Sequence, residues 1–353
     1  MSSIEKHDKN FFVDTSIDTS DLRIINSLEK PIETYGLMLP DENNDRYKRI
    51  PTDVAKKTND GVVLLHSNTA GGRIRFRTNA KSIAIFAKYP FIGKMPHFAL
   101  TGSVGFDLYV DNRYEKSFIP PFKITDGYCS RVALGNDAFK EITINFPLYS
   151  DISSLFIGVD TWAEIKAPTP YKIDVPVVYY GSSITQGGCA SRPGNAYQAI
   201  ISRKLDCDHI NLGFSGSAKG EDSMAEYIAG LKMSVFVYDY DHNAPTVEHL
   251  KNTHQRMFSI IREKNPELPI VMVSKPKYYS DPDTEERFAV IKKTYDDAVA
   301  SGDKNVYLIN GGEMMRELCD DCGTVDSTHP NDHGFCAMAK GIGSVIERIF
   351  NEK

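Results

Sequence analysis

Two textures of apolar spacing divide the chain. Between Gly61 and Asp160, short apolar runs are separated by turn residues; GVVLLHS, GRIRFRT, KSIAIFAKY, GFDLYV, EITINFPLY and SLFIGV are the clearest. GRIRFRT places apolar and charged side chains at alternate positions, the period of a half-buried strand. Many such runs, broken by Gly, Asn and Asp, predict an antiparallel β-sandwich. Residues 1–60 are polar and less regular, and are expected to wrap or extend that sandwich.

After Pro176 the pattern changes. VPVVYY, HINL, SVFVYDY, PIVMVS and NVYLIN are short apolar runs. Between them lie segments with helical spacing, such as NAYQAIISRKL, APTVEHLKNTHQRMFSIIREK and DTEERFAVIKKTYDDAVAS. Strand alternating with helix predicts βαβ units and a parallel sheet covered on both faces. Ligands bind such sheets at the C-terminal ends of the strands. The Pro-containing stretch TWAEIKAPTPYKIDVP joins the two textures. It sets the expected division at 1–170 for the sandwich and 171–353 for the α/β part.

Composition narrows the function classes. A chain of 353 residues exceeds one typical core, in keeping with two domains. Its net charge of -6 argues against general nucleic-acid binding. No basic start followed by an apolar stretch suggests a leader, and no apolar run nears the ~20 residues that span a bilayer. The expected setting is the cytoplasm, with no membrane partner. Six cysteines in a chain of this length do not make a disulfide framework. Cys319 and Cys322 form a Cys-x-x-Cys without a second Cys/His pair at zinc-site spacing, so two reduced thiols are expected, with a structural zinc or a redox pair as the alternatives.

Four segments carry candidate chemistry. YYGSSITQGG (179–188) follows a strand and precedes a helix, so Ser183 would stand at the strand's C-terminal end, with Gly181 easing the turn. There a hydroxyl is exposed near backbone N–H groups able to meet an oxyanion; a Ser-rich turn capping a helix is the alternative. NLGFSG (211–216) offers the Gly216 N–H, or an ordinary turn. YDYDHNAP (238–245) offers the Asn243 side chain, or a cap for the helix expected near Pro245. VDSTHPND (325–332) sets Asp326 three residues before His329, so one turn of chain can pair carboxylate and imidazole. The carboxylate would fix the tautomer and leave the other ring nitrogen to act as base. His329 must be neutral for this, so activity is expected to fall below about pH 6–7. His333 reads as a solvated residue at a helix start. Gln186, Cys189, Lys219 and Tyr240 lie near the blocks, where pocket lining, capping and packing explain each equally well.

The order Ser, Gly, Asn, Asp-x-x-His resembles the SGNH/GDSL hydrolase superfamily over residues 172–353. The resemblance implies a three-layer, flavodoxin-like α/β fold. It implies Ser183 as nucleophile, Asp326 and His329 as the rest of a triad, and an oxyanion hole from the N–H groups of Ser183 and Gly216 and the Asn243 side chain. It requires no cofactor and no metal. Two acidic neighbours of the usual pattern are replaced, giving Gly181-Ser182-Ser183 and Asn243-Ala244. GFDLYV (105–110) is similar to the Gly-x-Asp-Leu-Tyr motif of a jelly-roll-like β-sandwich found ahead of some SGNH domains, and TAGGRIRF (69–76) fits its texture. Chains of this layout occur among carbohydrate esterases that remove O-acetyl groups, and a related one serves in acyl transfer.

The function expected is therefore hydrolysis of short acyl esters, O-acetyl on a saccharide foremost, by a serine esterase. The partners expected are a small-molecule or oligosaccharide ester, with homo-oligomerisation left open. An acyltransferase using the same acyl-enzyme and a non-catalytic carbohydrate-binding module are the alternatives. The sandwich stands as a carbohydrate platform, a wall of the cleft, or a packing partner.

Overall fold

The computed structural model describes residues 7–8, 13, 16–319 and 321–352. Most of the N-terminal stretch in which no leader was expected lies outside them. The first half holds β1 (Leu22–Asn26), β2 (Glu33–Tyr35), β3 (Arg73–Thr78), β4 (Ser82–Lys88), β5 (Phe106–Val110), β6 (Arg113–Phe118), β7 (Gly127–Ala133), β8 (Lys140–Asn145), β9 (Ser154–Asp160) and β10 (Ile165–Lys166). Its helices are α1 (Thr52–Thr58), α2 (Asp60–Leu65) and α3 (Leu100–Ser103). The strands form two antiparallel sheets, ordered β1-β9-β4-β7 and β10-β3-β8-β5-β6, with β2 also on β3. Alternate residues such as Ile74, Phe76, Ile83, Ile85, Ile142, Ile144, Ile157 and Val159 meet in one core between the sheets.

The second half holds β11 (Ile173–Gly181), β12 (Cys207–Gly213), β13 (Val235–Asp239), β14 (Ile270–Val273) and β15 (Val306–Ile309). Its helices are α4 (Ser183–Gln186), α5 (Tyr197–Leu205), α6 (Asp222–Ala229), α7 (Val247–Lys264), α8 (Pro282–Ala300), α9 (Gly311–Leu318) and α10 (Asp332–Asn351). All strand pairs are parallel, in the order β12-β11-β13-β14-β15. Each strand buries both faces: Val177 and Tyr179 pack with α5, α9 and α10, while Val178 and Tyr180 pack with α6, α7 and α8. This is the expected three-layer α/β sandwich, and the strand order is the flavodoxin-like one. From β11 the chain turns first to β12 and later to β13 on the opposite side. The switch point thus lies over the C-terminal end of β11, where a ligand crevice belongs. Among the described residues no helix is long and apolar enough to cross a membrane.

Two expectations about the first half change. GVVLLHS is a helix, not a strand: Asn59 caps α2 by accepting from the Val62 N–H at 2.9 Å. The Asn59 amide also donates to the Ser217 carbonyl at 2.9 Å and to the Glu221 carboxylate at 2.6 Å, both in the second half. Ile50, Ala55 and Val62 join the core of the α/β sheet. Residues 50–65 therefore cover the second half rather than extend the sandwich. Short apolar runs fit a buried helix as well as a strand, and contacts from the other half decide this one.

The alternation of GRIRFRT holds, but on its charged face Arg73 and Arg75 are buried and only Arg77 meets solvent. Arg73 is buried, donating to Tyr171 Oη (2.8 Å), the Gly71 carbonyl (2.9 Å) and the His209 carbonyl (3.2 Å), and pairing with Asp208. The Gly-x-Asp-Leu-Tyr motif also ties the halves together. Asp107 is buried and accepts from Asn145 Nδ2 and from the Gly194 N–H, each at 2.7 Å. Tyr109 packs so close to Gly194 that a Cβ there would lie 2.4 Å from its hydroxyl.

Candidate active site

The candidate residues gather at the C-terminal ends of β11, β12 and β13. Ser182 caps α4, its hydroxyl accepting from the Ile184 N–H at 3.1 Å, and Ser183 opens that helix. The capping reading thus holds for Ser182 and leaves the Ser183 hydroxyl for other partners. Gly181 is needed for close approach, because a Cβ would lie 1.8 Å from Asp239 Oδ1 and 2.2 Å from Thr185 Oγ1. The Ser183 carbonyl accepts from the Gly187 and Gly188 N–H groups at 3.1 and 3.0 Å, and from Tyr149 Oη at 3.1 Å. Tyr149 belongs to the first half of the chain.

Ser183 Oγ lies 3.0 Å from His329 Nε2, and His329 Nδ1 lies 2.7 Å from Asp326 Oδ2. Asp326 Oδ1 accepts from the N–H groups of His329 (2.7 Å) and Thr328 (3.1 Å). Partial burial acts to raise this carboxyl, but the hydrogen bonds from the His329 N–H, the His329 ring and the Thr328 N–H hold it at about 2. Ionised, it can only accept, so Nδ1 carries the ring proton and Nε2 is left to accept from the serine hydroxyl. The three residues stand in the geometry of nucleophile, base and orienting acid.

Asn243 ends a single 3-10 turn, Asp241–Asn243, and does not cap α7; Thr246 does, accepting from the His249 N–H at 3.1 Å. Asn243 Nδ2 donates instead to the Phe214 carbonyl at 2.9 Å, which ties the loops after β12 and β13. An amide nitrogen carries two hydrogens, and that bond uses one. Gly216 takes a φ of +65°, and its N–H makes no hydrogen bond among the described residues.

The remaining candidates separate. Gln186 is buried and bridges Asn68 Oδ1 (3.1 Å), the Leu148 carbonyl (3.3 Å) and the Ser215 N–H (3.0 Å), locking α4 to the sandwich half. Tyr240 is core, its hydroxyl 2.8 Å from Thr253 Oγ1. The Lys219 carbonyl meets His249 Nε2 at 2.8 Å. Cys189 is buried near His329. His333 is exposed in the first turn of α10. Cys319 is buried and Cys322 exposed.

Three neighbours of the site had no signal in the local sequence. Asn68 and Tyr149 come from the first half, as described. His97 also comes from that half, with Nε2 3.8 Å from Asp326 Oδ2. A small cavity of about 100 Å³ is lined by Ile184 and Thr328, chain neighbours of Ser183 and His329, and by Ser327, His242, Lys275 and Lys277. Burial, with Lys275 and His329 nearby, pushes the His242 imidazole down to about 4.

Comparisons with known proteins agree with this picture. Residues 174–347 match the GDSL-like lipase/acylhydrolase family, and residues 22–165 match the N-terminus of SGNH hydrolase-type esterases. No curated protein matches the chain. Among solved structures, a protein described as a GDSL-like lipase from Bacteroides ovatus aligns with a TM-score of 0.81 and 28% identity, over 94% of this chain and 98% of that one. The salicylyl-acyltransferase SsfX3 of a tetracycline biosynthetic pathway aligns at 0.75 and 18%, over 92% and 98%. The acetyl xylan esterase Est2A from the rumen bacterium Butyrivibrio proteoclasticus shares the fold at 0.58 and 12%, over 94% and 99%. The chain belongs to the GDSL-like lipase/acylhydrolase family, as an SGNH-type esterase with the N-terminal domain of that type.

Proposed function

We propose that this chain is a serine esterase that removes short acyl groups, O-acetyl foremost, from a carbohydrate. The observation that carries the reading is the continuous path Asp326 Oδ2–His329 Nδ1 (2.7 Å) and His329 Nε2–Ser183 Oγ (3.0 Å). Ser183 Oγ attacks the acyl carbon and passes its proton to His329 Nε2. The oxyanion takes hydrogen bonds from the N–H groups of Ser183 and Gly216 and the second Asn243 amide hydrogen. The imidazolium, stabilised by Asp326, returns the proton to the leaving alcohol. Water then clears the acyl-enzyme by the same steps.

The short acyl group is motivated by the size of the cavity that Ile184 and Thr328, chain neighbours of Ser183 and His329, help to line, about 100 Å³, space for a few water-sized groups. The sugar alcohol is motivated by the shared architecture with an acetyl xylan esterase. Transfer to an alcohol other than water is the second reading, motivated by the acyltransferase of the same fold.

A fluorophosphonate probe should label Ser183 in the wild type and leave Ser183→Ala unlabelled. Hydrolysis of p-nitrophenyl esters should fall as the acyl chain lengthens beyond acetyl. A Ser183→Ala variant that kept the wild-type rate on p-nitrophenyl acetate would sink the assignment. Transfer outrunning hydrolysis when a sugar acceptor is supplied would select the second reading.

A further inference from the structure

Two side chains that the proposed catalysis does not use converge on the base. His97 stands on the segment between β4 and α3, in the sandwich half. Its side chain is 42% exposed, so the spot is open to solution. Cys189 follows α4, and its N–H donates to the Pro330 carbonyl at 3.1 Å, which sets it beside the His329 loop. The His97 and His329 ring centroids are 5.7 Å apart. One ligand atom from each of His97, Cys189 and His329 lies within 4.8 Å of the other two. Neither the His97 ring nor the Cys189 thiol makes a hydrogen bond among the described residues; the His97 ring has the 3.8 Å approach to Asp326 Oδ2.

We propose that His97, Cys189 and His329 bind a thiophilic divalent cation, Zn²⁺ in the first instance, and that this binding reversibly switches off the esterase. Two imidazoles and a thiolate suit Zn²⁺, with a fourth position left for water. Tetrahedral Zn–N and Zn–S bonds of about 2.1 and 2.3 Å set the donors roughly 3.5 Å apart. Binding requires the three donors, now within 4.8 Å of one another, to draw in to that spacing. Binding breaks the Cys189 S–H bond, releases that proton to solvent and forms the Zn–S bond.

His329 can ligate only through Nε2, because Nδ1 is held by Asp326 Oδ2 at 2.7 Å. Asp326 then plays the outer partner of a carboxylate–histidine–metal arrangement, which orients the ring and strengthens it as a ligand. Nε2 is also the nitrogen 3.0 Å from Ser183 Oγ. A lone pair given to the metal cannot take the serine proton, so metal binding and base catalysis exclude each other. This consequence rests on the proposed role of His329; the binding itself does not.

The test titrates the full chain with Zn²⁺ by calorimetry and with Co²⁺ by absorption, and follows ester hydrolysis in parallel. The expected result is saturable binding of one ion per chain, loss of hydrolysis in step with occupancy, and recovery on adding EDTA. Mg²⁺, which prefers oxygen ligands, should do neither. Co²⁺ should give a near-ultraviolet thiolate charge-transfer band that disappears in Cys189→Ser. His97→Ala, a change on an exposed segment, and Cys189→Ser, a single-atom change, should each weaken Zn²⁺ binding ~10-fold or more. Each variant's inhibition is referred to its own metal-free rate. No saturable binding up to ~1 mM Zn²⁺, or binding that neither variant weakens, overturns the site. Binding that both variants weaken but that leaves hydrolysis intact overturns the switch, whereas the role of His329 as base stands or falls with the Ser183 labelling and activity tests.

Discussion

The two arms of the site are held in opposite ways. The serine arm is buried and anchored across the chain. Ser183 is 6% exposed. Its turn is fixed by Tyr149 at its carbonyl, by Gln186 reaching Asn68, and by Gly181 pressed on Asp239. The histidine arm is exposed and closes on itself. Side chains of His329 and Asp326 are 24% and 35% exposed. The Val325 N–H donates to the His329 carbonyl at 3.0 Å, Asp326 Oδ1 takes two N–H groups, and Ser327 adopts a φ of +62° to complete the turn. The position of Ser183 is therefore a property of the whole fold, while His329 is oriented by its own loop. Damage to the contacts that hold the first should cost stability as well as rate; damage to the second should cost rate alone.

The largest effect expected is that of Ser183→Ala, with hydrolysis falling ~10⁴–10⁶-fold in kcat/KM. Removing one hydroxyl leaves the turn's other bonds in place, so its denaturation midpoint should barely move. Asp326→Asn comes next. Losing the charge that fixes the tautomer should lower kcat by about 10⁴, again with little change in urea denaturation. A destabilisation as large as that of a core lesion would break the picture of an independent loop. Asn243→Ala removes one oxyanion donor and should lower kcat by ~10²–10³ with KM nearly unchanged. A pure KM effect would instead mean that the amide only ties the loops.

The serine arm should show itself in the pH dependence of stability. Burial, offset by hydrogen bonds from Thr185 and Tyr197, raises the Asp239 carboxyl to about 8. Its unfolded value is about 4. Between those values the folded chain holds a proton that the unfolded chain has lost. The stability contributed is thus fully present below about pH 4 and is lost as pH rises towards 8. Asp239→Asn should remove a few kcal/mol of that slope, read as denaturant midpoints at pH 5 and pH 8. Equal slopes in the two proteins would rule out a protonated Asp239. The smallest effect is that of Tyr149→Phe. The Ser183 carbonyl keeps its two backbone partners, so the loss should be about 1 kcal/mol in unfolding, with a rate change under ~10-fold.

Much of this was legible in the chain because it is written in local patterns. Short apolar runs marked five of the ten described sandwich strands, β3, β4, β5, β8 and β9, and strand–helix alternation marked the parallel sheet. The rule that ligands sit at C-terminal strand ends brought Ser183, Gly216 and Asn243 to one region. What failed did so where two halves meet. GVVLLHS has apolar residues enough for either element, and it became α2 because Asn59 finds Ser217 and Glu221 across the interface. Asn243 was open to a capping reading. The turn of chain between it and α7 hands the cap to Thr246 and frees the amide for Phe214.

While the flavodoxin-like arrangement came from the family resemblance, the sequence by itself determined the two textures, the alternating strand–helix half with its parallel sheet, and the pairing of Asp326 with His329. Each rests on residues a few positions apart, whose geometry is set by chain stereochemistry and hydrophobic period. Only the tertiary structure decided that the sandwich is built into the site rather than appended to it. Arg73 and Asp107 clamp the halves, Asn68 and Tyr149 fix the serine turn, and His97 reaches Asp326. These contacts join residues distant in sequence, brought together only once both cores have packed. Burial then fixes what each polar group must do, because an unpaired donor or charge inside is costly.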